Sequence, residues 1–386
     1  MLRFPHLARC HRFGSTLAGL CLLVVTLPAV SAAFPAADSA DTAVSQSLTP
    51  VQAAEGWLLL FDGQTPFGWH CQGKNTVRDG LWHLEKGSTA WPFSRFGNHW
   101  ELTAEVAGPV RFYLPHDHVL EHHGDSFDQL QVFCDGEKIR YKGTGFSRLS
   151  RVEHGAGPGG KAIGIGAPGP QPARLRHLRL RPQRLQPLWN GRNLDGWNIN
   201  MTDPKRQQAR FRVTDQGELL VEGGPGDLVS TVQAADFLLQ FDCRTLGKHL
   251  NSGVFFRCIP GQYQNGYEVQ IHNGYKNNDR TQPLDFGTGG IYRRAPARRV
   301  VSNDEEWFTV TLIADGRRFA TWVNGFPVVA WEDPRSPHDN PRQGYRAAAG
   351  PFSIQAHDPT TRLLFRRIQY APLPPRPASP PIPQLP

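Results

Sequence analysis

Arg257, Glu268, Gln270 and His272 carry the side chains in this sequence best suited to acid–base chemistry and hydroxyl recognition, and they lie close together in the run NSGVFFRCIPGQYQNGYEVQIHN, residues 251–273. The run reads as two strands joined by the turn-rich connection IPGQYQNG. Side chains alternate between the two faces of a strand. Val254 and Phe256 therefore share one face with Tyr267, Val269 and Ile271, which is apolar and suits a core. Gly253, Phe255, Arg257, Glu268, Gln270 and His272 share the other. If the strands pair antiparallel, Arg257 comes near Glu268. A polar face of this kind is simply solvated in many antiparallel sheets. Its Arg, Glu, Gln and His in place of Lys, Thr and Ser, the Phe255 among them, and the small residues Ser252 and Gly253, which would let a ligand approach the backbone, argue for a site.

A second run, FSIQAH, places Phe352, Ile354 and Ala356 on one face and Ser353, Gln355 and His357 on the other. The two polar faces could line one concave groove. Tyr292, following Gly289-Gly290, and Trp307 could present ring faces to a ligand, or be core and edge aromatics. The polar stretch NGYKNNDRTQPLDFG, 273–287, is long for a hairpin and is expected to form a lid or rim.

These elements sit in a chain of 386 residues with a formal charge of +8. Residues 1–32 resemble a secretory leader: Arg3, Arg9 and Arg12 precede the apolar LAGLCLLVVTL, and Val30-Ser31-Ala32 suits cleavage. The chain is thus expected to be exported, to a periplasm or the outside, with no transmembrane span. Removing the three leader arginines from +8 leaves +5, a mild excess, and no nucleic-acid motif accompanies the basic clusters. Of six cysteines, Cys10 and Cys21 fall in the leader. Cys71/Cys134 and Cys243/Cys258 could each pair in an oxidising compartment. His116, His118, His122 and His123 make a metal site conceivable in PHDHVLEHHGD, but no ligand geometry follows from a loop. No cofactor is expected, with a divalent metal left open, and the oligomeric state is not legible.

Residues 33–53 read as a flexible linker and 374–386 as a Pro-rich tail. Between them lies an internal repeat. WLLLFDGQTPFGW echoes PLWNGRNLDGW, VRDGLWHLEKG echoes VTDQGELLVEGG, and ARLRHLRLRP echoes LLFRRIQYAPL. The copies are placed at 54–183 and 187–373. Both show short alternating runs broken by turn signals, of which Asn324-Gly325 is the strongest hairpin signal. The expected fold is all-β, two tandem jelly-roll sandwiches.

Taken in order, LWNGRNLDGW, VTDQGELLVEGG, NSGVFFR, GYEVQI, GGIY, EEWFTVTLIADG, VNG and FSIQAH…FRRIQYAPL resemble the 3-keto-disaccharide hydrolase domain, formerly a domain of unknown function, with a concanavalin/laminin-G-like jelly roll. The resemblance covers 187–373. The first copy lacks NSG…R and GYEVQ and looks degenerate and non-catalytic. The resemblance implies action on 3-keto-glycosides, by a 3-keto-glucoside 1,2-lyase or 3-keto-2-hydroxyglucal hydratase reaction. The C2 proton is removed, the C1 group departs and water adds, which sums to hydrolysis.

The residues suit that chemistry. Ordinary glycosidases need two carboxylates, whereas Glu268 is the one acid among the three inward positions of its strand. Elimination beside a ketone needs one base, a stabiliser of enolate charge and an acid for the leaving oxygen. Glu268 is the expected base and Arg257 the stabiliser, with His272 or His357 as the acid. Asn251, Ser252, Gln270, Tyr292, Trp307 and Gln355 are the expected substrate contacts. The alternative is a sugar-binding module of the same fold without turnover, since fold does not decide function.

Overall fold

A computed structural model of the protein describes residues 46–149 and 163–374. The leader, most of the linker and nearly all of the tail lie outside the described residues. The end of the linker stretch is ordered as a short helix, Pro50–Ala54, opened by a capping box between Thr49 and Gln52.

Nearly everything else is β, in four antiparallel sheets forming two sandwiches. In the second sandwich, the eight-stranded back sheet runs Ala209–Val213, Leu219–Gly223, Arg362–Pro372, Phe237–Thr245, Phe308–Asp315, Arg318–Val323, Phe326–Glu332, with Gln186–Pro187 added on Arg362–Pro372. Its five-stranded front sheet runs Trp197–Ile199, Gly226–Ala234, Gly350–Ala356, Ser252–Phe256, Tyr267–Ile271. The first sandwich repeats this plan. Its back sheet runs Asn75–Arg78, Leu81–Leu84, Ala173–Pro182, His99–Ala107, Asp128–Asp135, Lys138–Lys142, with Leu58–Leu59 added on Ala173–Pro182. Its front sheet runs Trp69–Gln72, Thr89–Pro92, Gly164–Gly166, Val110–Leu114, His118–His122, Phe146–Leu149. The shared strands come in the same order, so the repeat in the sequence is a repeat in topology.

One core fills the second sandwich, with Phe237, Phe241, Phe256, Phe308, Phe319, Phe352 and Phe365 at its centre. The core of the first sandwich does not stop at its own strands. Leu238, Ile313, Ala320 and Trp322, from the outer face of the second sandwich's back sheet, belong to it. That back sheet is therefore covered on both faces and Phe308–Asp315 is buried at every position, with its outward Thr309, Thr311 and Asp315 held by Asp242, Gln240 and Arg95. Polar contacts seal the join. Trp322 Nε1 donates to Leu59 O at 3.0 Å. Arg95 pairs with Asp315 at 2.6 Å and Arg298 with Asp62 at 2.6 Å. The Asn324-Gly325 turn has both residues at positive φ, 49° and 73°, as a two-residue hairpin requires. Gly325 also permits the join, because a Cβ there would lie 2.4 Å from Trp57 O.

The four described cysteines are free. Cys71 and Cys134 sit on opposite sheets of the first sandwich, Cys243 on the back sheet of the second and Cys258 beyond a front strand. Facing sheets stand about 10 Å apart, further than a disulfide's Cα atoms can reach. Among the described residues no helix is long and apolar enough to cross a membrane.

Candidate active site

The 251–273 run forms the expected antiparallel pair, with Phe255 opposite Glu268 and Gly253 opposite Gln270. On the other side Phe255 pairs with Ser353 and Val254 with Ile354. Gly226–Ala234 completes the floor, with Asp227 opposite Gln355. The same register carries two outward rows across the sheet. One is Val229, Ser353, Phe255, Glu268, and the other is Asp227, Gln355, Gly253, Gln270.

Glu268 stands where these rows meet a cavity of about 400 Å³, within the range of small-molecule sites. Phe255, Gln355 and Gln264 line it from the sheet side, Tyr292, Arg293 and Arg294 from one loop, and Pro341 and Arg342 from another. The Glu268 side chain lies back over Gly253. A Cβ on that glycine would sit 2.3 Å from Glu268 Oε1 and 2.7 Å from its Cγ. Glycine is thus the residue that lets the carboxyl lie down on the neighbouring strand.

Glu268 is 8% exposed. Burial, and next the negative charge of Asp285, push its pKa up to about 8, while Arg342 and Arg293 oppose the rise. Asp285 was not singled out by sequence reasoning. It comes from the 273–287 stretch, at positive φ, and its Oδ2 accepts from Asn251 Nδ2 at 2.8 Å and Gln270 Nε2 at 2.7 Å. It is absent from the cavity wall and acts on Glu268 as a like charge. Arg293 and Arg342 were missed as well. Arg342 is held by a bond from Nη2 to Gln264 O at 2.9 Å, and Arg293 lies over the Tyr292 ring at 5.3 Å. The one available signal was their position in Gly-, Pro- and Arg-rich loops following strands.

The expected placement of Arg257 is corrected. Strand geometry ends at Phe256, and Arg257 adopts φ 49°, which takes it off the alternation. Its guanidinium is fully buried, donating to Ala235 O at 2.7 Å, Arg346 O at 2.9 Å and Asp236 Oδ1 at 2.9 Å, over the Phe319 ring. It ties two loops to the core edge and does not face Glu268.

The other expected residues divide. Gln355 and Tyr292 line the cavity. Gln355 Nε2 donates to Gln264 Oε1 at 3.0 Å, leaving its buried Oε1 unpartnered, as is Gln270 Oε1. The Tyr292 N–H donates to Glu268 O at 2.9 Å. Asn251 and Gln270 support Asp285, and the Ser252 hydroxyl is spent on Gln355 O at 2.7 Å. His272 lies four residues beyond Glu268, about 13 Å along the strand. Its Nδ1 accepts from Gly274 N–H, its ring stacks on His249 at 6.2 Å, and burial lowers its pKa. His357 lies just past the end of its strand, exposed, with Nδ1 2.8 Å from Asp358. Trp307 lies beside the back sheet under Arg366, at 4.0 Å. None of these three is brought to the cavity.

The first sandwich has no counterpart to Glu268. By strand order and register, Val119 stands in its place, opposite Tyr113, and Arg111 stands in that of Gly253, ion-paired with Glu121. The four histidines of its loop are separately engaged. His122 contacts Gly108 O and Asp128, His116 contacts Gly136 O, His118 meets Arg148 and His123 meets Glu121. Among the described residues, no group of three or more His, Cys, Asp or Glu is placed to share an ion.

The molecule is thus a pair of all-β sandwiches, one of which carries a buried carboxyl under a cavity. Residues 184–370, which span that sandwich, match the family model of the 3-keto-alpha-glucoside-1,2-lyase-like domain, the family the sequence resembles. Among solved structures, a provisionally assigned glycosyl hydrolase from Parabacteroides distasonis is 17% identical over 48% of this chain and 93% of its own, with a TM-score of 0.39. A second from the same organism is 20% identical over 50% of this chain and 100% of its own, with a TM-score of 0.38. A carbohydrate-binding module from Bacillus subtilis is 15% identical over 45% of this chain and 94% of its own, with a TM-score of 0.32. No curated protein matches the chain.

Proposed function

We propose that the second sandwich is an exported hydrolase or lyase of 3-keto-glycosides, working by elimination across C1–C2 followed by hydration, with Glu268 as its acid–base group. The observation that carries this reading is a nearly buried carboxyl whose pKa is raised to about 8, facing a cavity between arginines. A carboxylate of that basicity is a stronger base than a solvated one. The family match supports the substrate class.

In this mechanism the Glu268 carboxylate takes the C2 proton, which the C3 ketone acidifies. The C2–H electron pair moves into C2–C3 and leaves an enolate on the C3 oxygen. Arg293 and Arg342 supply positive charge beside it, the role first expected of Arg257. The enolate then collapses and C1–O breaks. In an α-glucoside C2–H and C1–O lie on opposite faces of the ring, so the leaving oxygen takes its proton from solvent water and Glu268 releases its own to solvent. Neither His272 nor His357 lines the cavity, so neither stands ready to protonate the leaving oxygen. Water adds to C1 by the reverse path, with Glu268 taking a proton from water and returning it to C2. Glu268 ends as it began, and the sum is glycoside plus water giving a 3-keto sugar and the released alcohol.

The test is incubation with 3-keto-trehalose and 3-keto-sucrose. Release of free sugar by the wild type and its absence with Glu268→Gln are expected. Binding without release in the wild type would instead leave a sugar-binding module.

A further inference from the structure

The first sandwich has lost the acid but not the face. Its front sheet carries two outward rows equivalent to those beneath the Glu268 cavity: Thr89, Gly166, Arg111, Glu121 and Trp91, Gly164, Tyr113, Val119. Both outward positions of the central strand Gly164–Gly166 are glycine, where the second sandwich has Ser353 and Gln355. The bare strand lets two rings lie down. A Cβ on Gly164 would be 2.2, 2.4 and 2.6 Å from three atoms of the six-membered ring of Trp91, so that ring rests face-on against the backbone. A Cβ on Gly166 would be 3.1 Å from the Tyr113 ring. The two rings pack against each other, centroids 5.2 Å apart and tilted by 31°, and both remain partly accessible.

Core packing does not explain this pair, because the core side of these strands is filled by Ala90, Phe112, Leu120 and Ile165. Beside the rings stands a polar group of a different kind. Arg111 Nε donates to Glu121 Oε2 at 3.2 Å, and His123 Nε2 lies 3.5 Å from Glu121 Oε1. Arg111 is also in electrostatic reach of the Tyr113 hydroxyl. Flat ring faces next to a donor–acceptor pair match one ligand chemistry. A pyranose with equatorial hydroxyls offers an apolar face of axial C–H groups and a polar rim.

We propose that the first sandwich is a glycan-binding module, in which a gluco-configured pyranose stacks on Trp91 and Tyr113 while Arg111 and Glu121 bind its hydroxyls. This site is separate from the Glu268 cavity and does not depend on turnover there. It gives the duplicated sandwich a task that needs no catalytic carboxyl, namely holding the chain on a glycan.

Titration calorimetry of the full chain with cellohexaose and maltohexaose tests it. At least one hexaose should bind the wild type. Trp91→Ala and Tyr113→Leu should each weaken that binding about tenfold or more, as loss of an aromatic stack does. Gly164→Ser, which keeps both rings but lifts the indole, should weaken it in the same direction. Glu268→Gln should bind as the wild type does. Thermal melting confirms that each variant is folded, and the three substitutions at different points keep the test intact if one is not. The proposal is overturned if neither hexaose binds the wild type, if folded platform variants bind unchanged, or if Glu268→Gln rather than Trp91→Ala removes binding.

Discussion

Gly253→Ala probes the site without touching a single polar atom. The new methyl would lie 2.3 Å from Glu268 Oε1, against an ordinary contact of 3.4 Å or more, so the carboxyl must move by about 1 Å. The glutamate is flexible, so the fold can absorb the shift. An alanine in a strand interior is also not itself destabilising relative to glycine. Catalysis is less tolerant, since a displacement of this size costs on the order of 100-fold in rate, or about 2.7 kcal/mol. Steady-state kinetics on a 3-keto-glycoside, with thermal melting in parallel, should therefore show kcat/KM down about 100-fold with little change in melting temperature. Full activity in a folded Gly253→Ala protein would mean that the carboxyl lying over Gly253 is not the reacting group.

The same geometry sets further outcomes. As a base, Glu268 must be ionised, so kcat/KM should climb with pH through about 8 and level off above it, which a pH–rate profile reads directly. Stability should move the other way. A carboxyl whose folded pKa is raised binds more protons folded than unfolded between about 4.5 and 8, so this group's stabilisation is complete below that window and is lost as pH rises through it. Glu268→Gln should therefore gain on the wild type, by a few kcal/mol, in denaturant titrations between pH 5 and 8.5. Arg257→Ala removes the buried partner of the ion pair with Asp236 and two bonds to loop carbonyls, and should cost roughly 3–5 kcal/mol in a denaturation curve. Trp322→Ala opens the core shared by the two sandwiches and should lower stability by about 3–5 kcal/mol, with both sandwiches melting in one transition.

The sequence made the frame of the site legible wherever strand alternation applied. Glu268 and Gln270 face outward because Val269 and Ile271 face the core, and Gln355 shares that side because Ile354 faces in. The same rule carried one residue too far misplaced Arg257, since alternation ends with the strand and a positive φ turns the next side chain elsewhere. Asp285, Arg293 and Arg342 come from loops, where no period fixes direction and only tertiary packing sets the neighbour. Small residues at 252 and 253 were visible as an invitation to close approach, yet the group that approaches Gly253 is a side chain of the same sheet. Trp307 shows the converse. An aromatic suited to stacking on a sugar is covered by Arg366 on the other sheet.

The claim on which all this turns is that Glu268 removes the proton from C2 of the sugar. Turnover of a 3-keto-glycoside in deuterium oxide, followed by proton NMR of the released 3-keto sugar, reads that step. The mechanism predicts one deuterium at C2 for each bond broken by the wild type, and neither exchange nor release with Glu268→Gln. Release of sugar that keeps its original hydrogen at C2 would contradict it, because the bond would then have been cut by direct displacement at C1.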